Sequence, residues 1–146
     1  MRVLMDGDGC PVVRIAAEEC NKHHIECLVF CDTAHEMRRE DITLLTFDKG
    51  ADSVDYALAG RVRPGDIVVT QDYGVASMCL ARGALVLHQD GWEYTQWNID
   101  ALLLDRHEAR KFRQSGGRTK GASKRKREQD QLFRQGLVRL LETVPR

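Results

Sequence analysis

Three aspartates directly follow two of the apolar runs in this sequence. Asp6 and Asp8 follow the first run in MDGDGCP, and Asp72 follows a later one in VVTQDYG. In an open parallel sheet, ligands bind beyond the carboxyl ends of the strands, because loops and helix N-termini converge there. If these two strands are neighbours, three carboxylates share one rim, and their mutual repulsion favours a bound divalent cation. The pattern predicts catalytic carboxylates that hold Mg²⁺ or Mn²⁺ while a bound water attacks a phosphodiester.

Each of these aspartates also has a structural interpretation. An Asp between a strand and a helix often caps the helix, as Asp72 would ahead of a helix at 73–82. Asp8 lies shortly before the helix predicted at 11–23 and could cap it. One cap requires only one acid, however, and the D-x-D motif has two. We therefore favour a site for Asp6 and Asp8 and keep both interpretations of Asp72.

A second acidic pair, Asp52 and Asp55, lies in GADSVDYALAG. Residues three apart share one face of a helix, so both carboxylates could face the same cleft and complete the metal ligands. They could equally form the helix start, with Asp52 as the N-cap and Asp55 favourable to the helix dipole. The sequence leaves both interpretations open.

Short apolar runs alternate with helical patterns along the chain. The predicted strands are 2–5, 26–30, 42–47, 66–70 and 84–88. Unbroken apolar runs of this length are typical of parallel strands covered on both faces. Amphipathic spacing predicts helices at 11–23, 52–60, 73–82 and 98–113, and in the last of these Ile99, Leu102, Leu103 and Phe112 could turn inward. A final helix, expected to dock on the domain, is marked by Leu132, Phe133, Leu137, Leu140 and Leu141. The order predicts an α/β fold, a three-layer domain with a mostly parallel central sheet.

Charge divides the chain in two. At 146 residues the length suits a single domain, with an acidic α/β body over 1–105 and a basic extension over 106–146. The body holds 9 Lys and Arg against 18 Asp and Glu, and the extension holds 13 against 4. This distribution predicts a body that binds cations and an extension that binds polyanions, although a solvated tail would give the same count.

The extension supplies candidate phosphate contacts. Arg106, Arg110 and Arg113 lie at i, i+4 and i+7 on one helix stripe, which could also be a solvated face. Arg118 and Lys120 lie in GGRTKG, where glycines let backbone N–H groups join them around a phosphate. Such a density of cations predicts salt-sensitive, sequence-tolerant binding of nucleic acid.

Three other features are less specific. The KRKR tetrad at 124–127 is less informative, because such runs are common in linkers and tails. Trp92, Tyr94 and Trp97 could stack on bases, although we favour buried anchoring for at least one Trp. His88, at a strand end, could border the site.

Cysteine usage and hydropathy indicate the compartment. Five cysteines without a C-x-x-C spacing predict reduced, mostly buried thiols. Cys10 lies near a helix start, but no histidine is placed to activate it, so we expect it to pack against the sheet. No apolar run approaches the roughly 20 residues of a membrane span, and the start lacks an export signal. We expect a cytoplasmic protein without membrane contact.

Several blocks together resemble the YaiI/YqxD family. They are DGDGCPV at 6–12, KGADSVDYALA at 49–59, DIVVTQDYGVA at 66–76, and GGRTKGA at 116–122 followed by Asp130 and Phe133. The resemblance implies a PIN-like fold, whose related nucleases hold Mg²⁺ or Mn²⁺ with clustered acids and cut RNA. Carried over by position, Asp6 and Asp8 match the first acidic block, Asp52 and Asp55 the second, and Asp72 the third. The chain departs from the family pattern at Gly7, Gly9, Ala122 and Gln131.

Two other functions compete with a metal-dependent nuclease. A non-catalytic nucleic-acid-binding module would keep the fold and the basic extension without turnover. A haloacid-dehalogenase-like phosphatase would use D-x-D as nucleophile and acid, with Thr46 or Thr70, Lys49 and Asp72 as partners. The fit to the phosphatase is loose, since no cap insertion is evident.

Overall fold

The described residues form a six-stranded sheet flanked by five helices. The computed structural model describes residues 1–32, 39–48, 53–114, 116 and 124–143, and for 106–110 and 113 it describes the backbone only. The strands are β1 (Arg2–Asp6), β2 (Glu26–Asp32), β3 (Thr43–Phe47), β4 (Ile67–Val69), β5 (Leu85–Leu87) and β6 (Glu93–Tyr94). The helices are α1 (Val13–Lys22), α2 (Ser53–Arg61), α3 (Tyr73–Ala81), α4 (Gln96–Gln114) and α5 (Arg127–Thr143).

The sheet is parallel except at one edge. Its strand order is β3-β2-β1-β4-β5-β6, and only β6 runs antiparallel to its neighbour. Met5 in β1 pairs with Val29 in β2 on one side and with Val69 in β4 on the other. From β1 the chain builds outward first to β2 and β3, then returns to the other side of β1 for β4. The carboxyl ends of β1 and β4 therefore form the topological switch point, where open α/β sheets bind ligands.

Helices cover both faces of the sheet. Val3 and Met5 of β1 belong to a buried cluster with α1 and α5, and Leu4 belongs to a second cluster with α2, α3 and α4. Successive residues of a strand point to opposite faces, so each strand contributes to both cores. The three-layer α/β arrangement and the mostly parallel sheet are confirmed.

The C-terminal helix α5 closes the first of these cores. Phe133 and Leu137 are fully buried in it. A Cβ on Gly136 would lie 2.6 Å from the Gly91 carbonyl oxygen, so α5 approaches the β5–β6 turn at backbone distance. Gly91 itself has φ +93°, a left-handed conformation that favours glycine. The expectation that this helix docks on the domain is confirmed.

Differences from the sequence predictions are local. The strand β6 was not predicted, because two residues give too short a pattern. Phe112 was expected to face inward and Leu132 to mark the docking face, yet their exposures are 52% and 53%. Within the described part of the chain, no helix is both long enough and apolar enough to cross a bilayer.

Candidate functional site

Carboxylates from three elements meet at the switch point. Asp6 ends β1, Asp8 lies in the loop after it, Asp55 lies in the first turn of α2, and Asp72 precedes α3. All four line one open cavity of about 460 Å³. We call this the acidic cavity, and its lining residues are Asp6, Asp8, Asp55, Gln71, Asp72 and Tyr73.

Asp6 is the most perturbed of these carboxylates. Burial raises its pKa from 3.8 to about 6, with further increases from the charges of Asp55, Asp8 and Asp72. The Thr70 hydroxyl donates a hydrogen bond to Oδ2 of Asp6 at 3.1 Å, which lowers the pKa in part. The ionised form of Asp6 is therefore costly, and a cation in the cavity would stabilise it.

Asp72 serves as the N-cap of α3. Its Oδ1 accepts hydrogen bonds from the backbone N–H groups of Gly74 at 2.8 Å and Val75 at 3.1 Å. The capping interpretation of Asp72 is therefore correct. Both bonds end on Oδ1, and Oδ2 accepts none from the described residues, so a cap and a ligand role are compatible in one side chain.

The loop after β1 holds Asp8 beside β2. Gly7 donates its N–H to the Phe30 carbonyl oxygen at 2.7 Å, and a Cβ on Gly7 would lie 2.7 Å from Cγ1 of Val29. Oδ1 of Asp8 accepts a hydrogen bond from the backbone N–H of Asp32 at 3.1 Å. The close approach of Gly7 to β2 thus fixes where the D-x-D pair turns away from the strand.

The structure describes one residue of the second acidic pair, Asp55. Asp55 lines the acidic cavity, and its charge is the largest electrostatic contribution to the raised pKa of Asp6. The first-turn position of Asp55 also suits the helix dipole, so both interpretations apply to this residue. Asp52 lies outside the described residues.

Thr70 is a site residue that sequence reasoning did not assign to this role. It is 2% exposed, donates its hydroxyl hydrogen to Asp6, and accepts the backbone N–H of Asp72 on Oγ1 at 3.0 Å. The hydroxyl thus joins carboxylates that lie 64 and 2 residues away along the chain. A threonine at the end of a buried strand, two residues before an acid, was the available signal. The phosphatase hypothesis used the same residue, whereas here its hydrogen bonds support two aspartates.

The side chains as placed do not form a complete metal site. Among the described residues, no group of three or more His, Cys, Asp or Glu side chains could hold a metal ion. The chemistry of the cavity nevertheless fits a hard divalent cation, since the charged groups that line it are all carboxylates.

The structure does not describe the side chains of the predicted phosphate contacts. Arg106, Arg110 and Arg113 fall within α4, where the structure gives their backbone only. Arg118 and Lys120 are outside the described residues. Their role in binding nucleic acid stays a prediction.

The aromatic residues near the site differ in exposure. Trp97 is 92% exposed, whereas Tyr94 is 1% exposed. Trp92 stacks on His88 with ring centroids 4.4 Å apart, and Tyr94 meets Tyr73 edge-on at 6.0 Å. Trp92 therefore anchors the β5–β6 turn, and base stacking by Trp97 stays a prediction.

The cysteines agree with the expected thiols. All five are thiols outside any disulfide, and Cys10 alone among them is only partly buried. Burial raises the pKa of Cys10 to about 11, which disfavours a reactive thiolate. Cys10 packs against the core formed with α1 and α5, as predicted.

Fold and site together define a three-layer α/β protein with an acidic cavity at the switch point of its sheet. The chain belongs to the YaiI/YqxD family, since the family model described as "Uncharacterized BCR, YaiI/YqxD family" matches residues 4–143. This confirms the resemblance first seen in the acidic blocks.

Curated relatives cover nearly the whole chain. A UPF0178 protein of Exiguobacterium sibiricum is 45% identical over 141 residues, 97% of this chain and 96% of the relative. A UPF0178 protein of Ruminiclostridium cellulolyticum is 46% identical over 138 residues, 94% of this chain and 90% of the relative. A UPF0178 protein of Clostridium perfringens is 40% identical over 144 residues, 99% of this chain and 97% of the relative. No solved structure matches the chain.

Proposed function

We propose that this protein is a Mg²⁺- or Mn²⁺-dependent nuclease that acts on RNA in preference to DNA at the acidic cavity. The observation that carries the proposal is the convergence of Asp6, Asp8, Asp55 and Asp72 from three separate elements at the switch point. A PIN-like fold, implied by the resemblance to the family, supports the same activity.

The protein's own groups would prepare the site. A bound divalent cation would neutralise the carboxylates, lower the pKa of a coordinated water and offset charge on the leaving oxygen. Thr70 orients Asp6 through its hydroxyl, and the α3 N-terminus holds Oδ1 of Asp72. Asp6, Asp8 and Asp72 would be the catalytic ligands, with Asp55 or Asp52 completing the set.

Binding requires a small rearrangement in this proposal. No described group of three carboxylates is placed to hold an ion, so we expect Asp8 or Asp55 to change rotamer on binding. Mg²⁺ usually keeps several waters and takes only one or two carboxylates directly, which limits the rearrangement needed.

The basic extension would hold the substrate strand. Its 13 Lys and Arg against 4 Asp and Glu can neutralise several phosphates. Arg106, Arg110, Arg113, Arg118 and Lys120 are the proposed contacts. Five cysteines without a disulfide suit a reducing compartment, and we propose that the activity is cytoplasmic.

Thermal unfolding with and without Mn²⁺ tests the metal site. Wild-type protein at about 1 mM Mn²⁺ should unfold at a higher temperature than in EDTA, because an ion that binds only the folded state stabilises it. Asp8→Asn should remove this increase while keeping the acceptor for the Asp32 N–H. Glu26→Gln, an exposed acid at the amino end of β2, is the matched control and should keep it. Equal melting temperatures for wild type in Mn²⁺ and EDTA would count against the proposal.

A second candidate is a non-catalytic nucleic-acid-binding module. The absence of a ready metal-holding group among the described side chains favours it. It predicts RNA binding that is unaffected by EDTA and by Asp6→Asn, and no cleavage of RNA in Mn²⁺. Cleavage that is lost in Asp8→Asn but kept in Glu26→Gln would exclude it.

A further inference from the structure

The KRKR segment, residues 124–127, is fixed to the sheet rather than extending from it. Arg125 donates from Nη1 to Oδ1 of Asp90 at 2.7 Å, from Nη2 to the Gln89 carbonyl oxygen at 2.8 Å, and from Nε to Oδ1 of Asp130 at 2.7 Å. These bonds join the segment to the β5–β6 turn and to the first turn of α5. One cation of the tetrad is thus committed to structure.

The other three cations of the segment face solvent. Lys124, Lys126 and Arg127 are exposed. The backbone N–H of Lys126 donates to Oε1 of Gln129 at 2.6 Å, and the Gln129 N–H donates back to the Lys126 carbonyl oxygen at 3.1 Å. The backbone at Lys126 is therefore hydrogen-bonded to the start of α5, next to the anchored Arg125.

The anchored segment lies beside the acidic cavity. Thr70, whose hydroxyl bonds Asp6, donates its backbone N–H to the Leu87 carbonyl oxygen at 3.1 Å, at the carboxyl end of β5. The β5–β6 turn begins at the next residue, and Arg125 is bonded to Asp90 within that turn. The turn therefore joins the basic segment to the carboxyl edge of the sheet, where the cavity lies.

We infer that Lys124, Lys126 and Arg127 form a binding site for the phosphates of a single-stranded nucleic acid, with Arg125 as the positioning residue. This inference rests on the proposed function for the choice of partner, since a phosphodiester chain is the polyanion that such a cavity would act on. Preorganised cations lose less conformational entropy on binding than cations on a free tail, which favours affinity. The carboxylates of the neighbouring cavity repel the same chain, so the cations are needed to hold it there.

RNA binding measured without metal separates this inference from catalysis. Fluorescence anisotropy of an unstructured RNA of about 20 nucleotides, with full-length protein in EDTA, should show binding that weakens with salt. Lys124→Gln/Lys126→Gln should bind at least about tenfold more weakly at low salt and reduce the slope of log K against log salt by about 1.4. Arg63→Gln/Arg82→Gln, which removes two exposed charges at the amino edge of the sheet, should stay within about twofold of wild type.

The positioning role of Arg125 can be tested with a substitution for which charge and positioning predict opposite changes in RNA binding. Asp90→Ala removes a negative charge, which by charge count alone would strengthen RNA binding. If Asp90 acts by holding Arg125, the variant should bind RNA several-fold more weakly, with a normal circular dichroism spectrum as the check on folding. Unchanged or tighter binding would contradict the positioning role.

The outcomes distinguish the inference from the nuclease. Equal binding by wild type and Lys124→Gln/Lys126→Gln, or no RNA binding by wild type, overturns the site at 124–127 whatever the cleavage assay shows. Loss of binding in that variant supports the site even if no cleavage occurs in Mn²⁺, in which case the proposed nuclease fails alone.

Discussion

Two aspartates at opposite edges of the same sheet, Asp66 buried and Asp6 partly buried, have opposite surroundings. At the amino edge, Asp66 is 3% exposed and pairs with the Arg2 guanidinium at 2.8 Å. It also accepts the backbone N–H groups of Arg2 at 3.2 Å and Arg63 at 2.9 Å. At the carboxyl edge, Asp6 has one hydroxyl donor and three carboxylates as neighbours, and its pKa is raised to about 6.

The difference separates a carboxylate that supports the fold from one that is a candidate for function. A buried charge that is paired and hydrogen-bonded supports the fold, whereas a buried charge among like charges costs stability. Proteins retain such a cost mainly where a ligand offsets it, and perturbed pKa values accordingly concentrate at functional sites. Removing each charge should therefore change stability in opposite directions.

The largest effect should come from Asp66→Ala. The substitution leaves Arg2 partly buried without its partner and removes acceptors from two backbone N–H groups, which should lower the free energy of unfolding by about 3 kcal/mol or more. Urea denaturation measures the change. Asp41→Ala, which breaks the more exposed Arg39–Asp41 pair, should cost less than about 1 kcal/mol. Similar decreases in the free energy of unfolding for Asp66→Ala and Asp41→Ala would show that Asp66 has no special structural role.

Asp6→Asn should stabilise the metal-free protein at neutral pH. The folded-state pKa of about 6 lies above the unfolded value of 3.8, so ionised Asp6 lowers stability above about pH 6. Its neutral replacement should raise the free energy of unfolding by up to about 3 kcal/mol in EDTA at pH 7.5. The gain should decrease as pH falls from about 6 and vanish below about 4, where wild-type Asp6 is protonated in both states. Urea denaturation across this range checks it, and a loss of stability at pH 7.5 would contradict the repulsion.

A smaller loss is expected for Thr70→Val. The change keeps the shape of a side chain that is 2% exposed but removes the donor to Asp6 and the acceptor for the Asp72 N–H. Stability at neutral pH should fall by about 1 to 2 kcal/mol. Because the Thr70 hydrogen bond lowers the pKa of Asp6, the variant should titrate Asp6 above about 6, which carboxyl NMR measures. An unchanged Asp6 titration would exclude the hydrogen bond.

Asp55→Asn should have the smallest effect on stability. Its charge is one of several that raise the pKa of Asp6, so the variant should titrate Asp6 below about 6 and gain less than about 1 kcal/mol at neutral pH. The same NMR titration measures the shift. An Asp6 pKa that stays at about 6 would show that the charge of Asp55 does not contribute to the perturbation.

Sequence alone located the first part of this site because of a rule of topology. Asp6, Asp8 and Asp72 follow apolar runs, and parallel strands bring their carboxyl ends to one edge. The sequence could not show that β1 and β4 are neighbours in the sheet, because strand order depends on packing between distant residues. The structure supplies this order through the pairing of Met5 with Val69.

Other features depend on contacts between residues far apart in the chain. Thr70 reaches Asp6 across 64 residues, and Arg125 reaches Asp90 across 35, so neither role is visible in a window of sequence. A charge count could not separate Arg125, which is bonded three times to the protein, from the exposed Lys124 beside it. The sequence thus indicated which side chains could do chemistry, but it did not indicate their hydrogen-bond partners.

Anomalous diffraction from crystals grown with Mn²⁺ tests the central claim most directly. The account predicts an anomalous peak in the acidic cavity, within about 2.5 Å of carboxylate oxygens from Asp6, Asp8 or Asp72. Crystals at millimolar Mn²⁺ that show no peak there, with the carboxylates unmoved, would contradict a metal-dependent site.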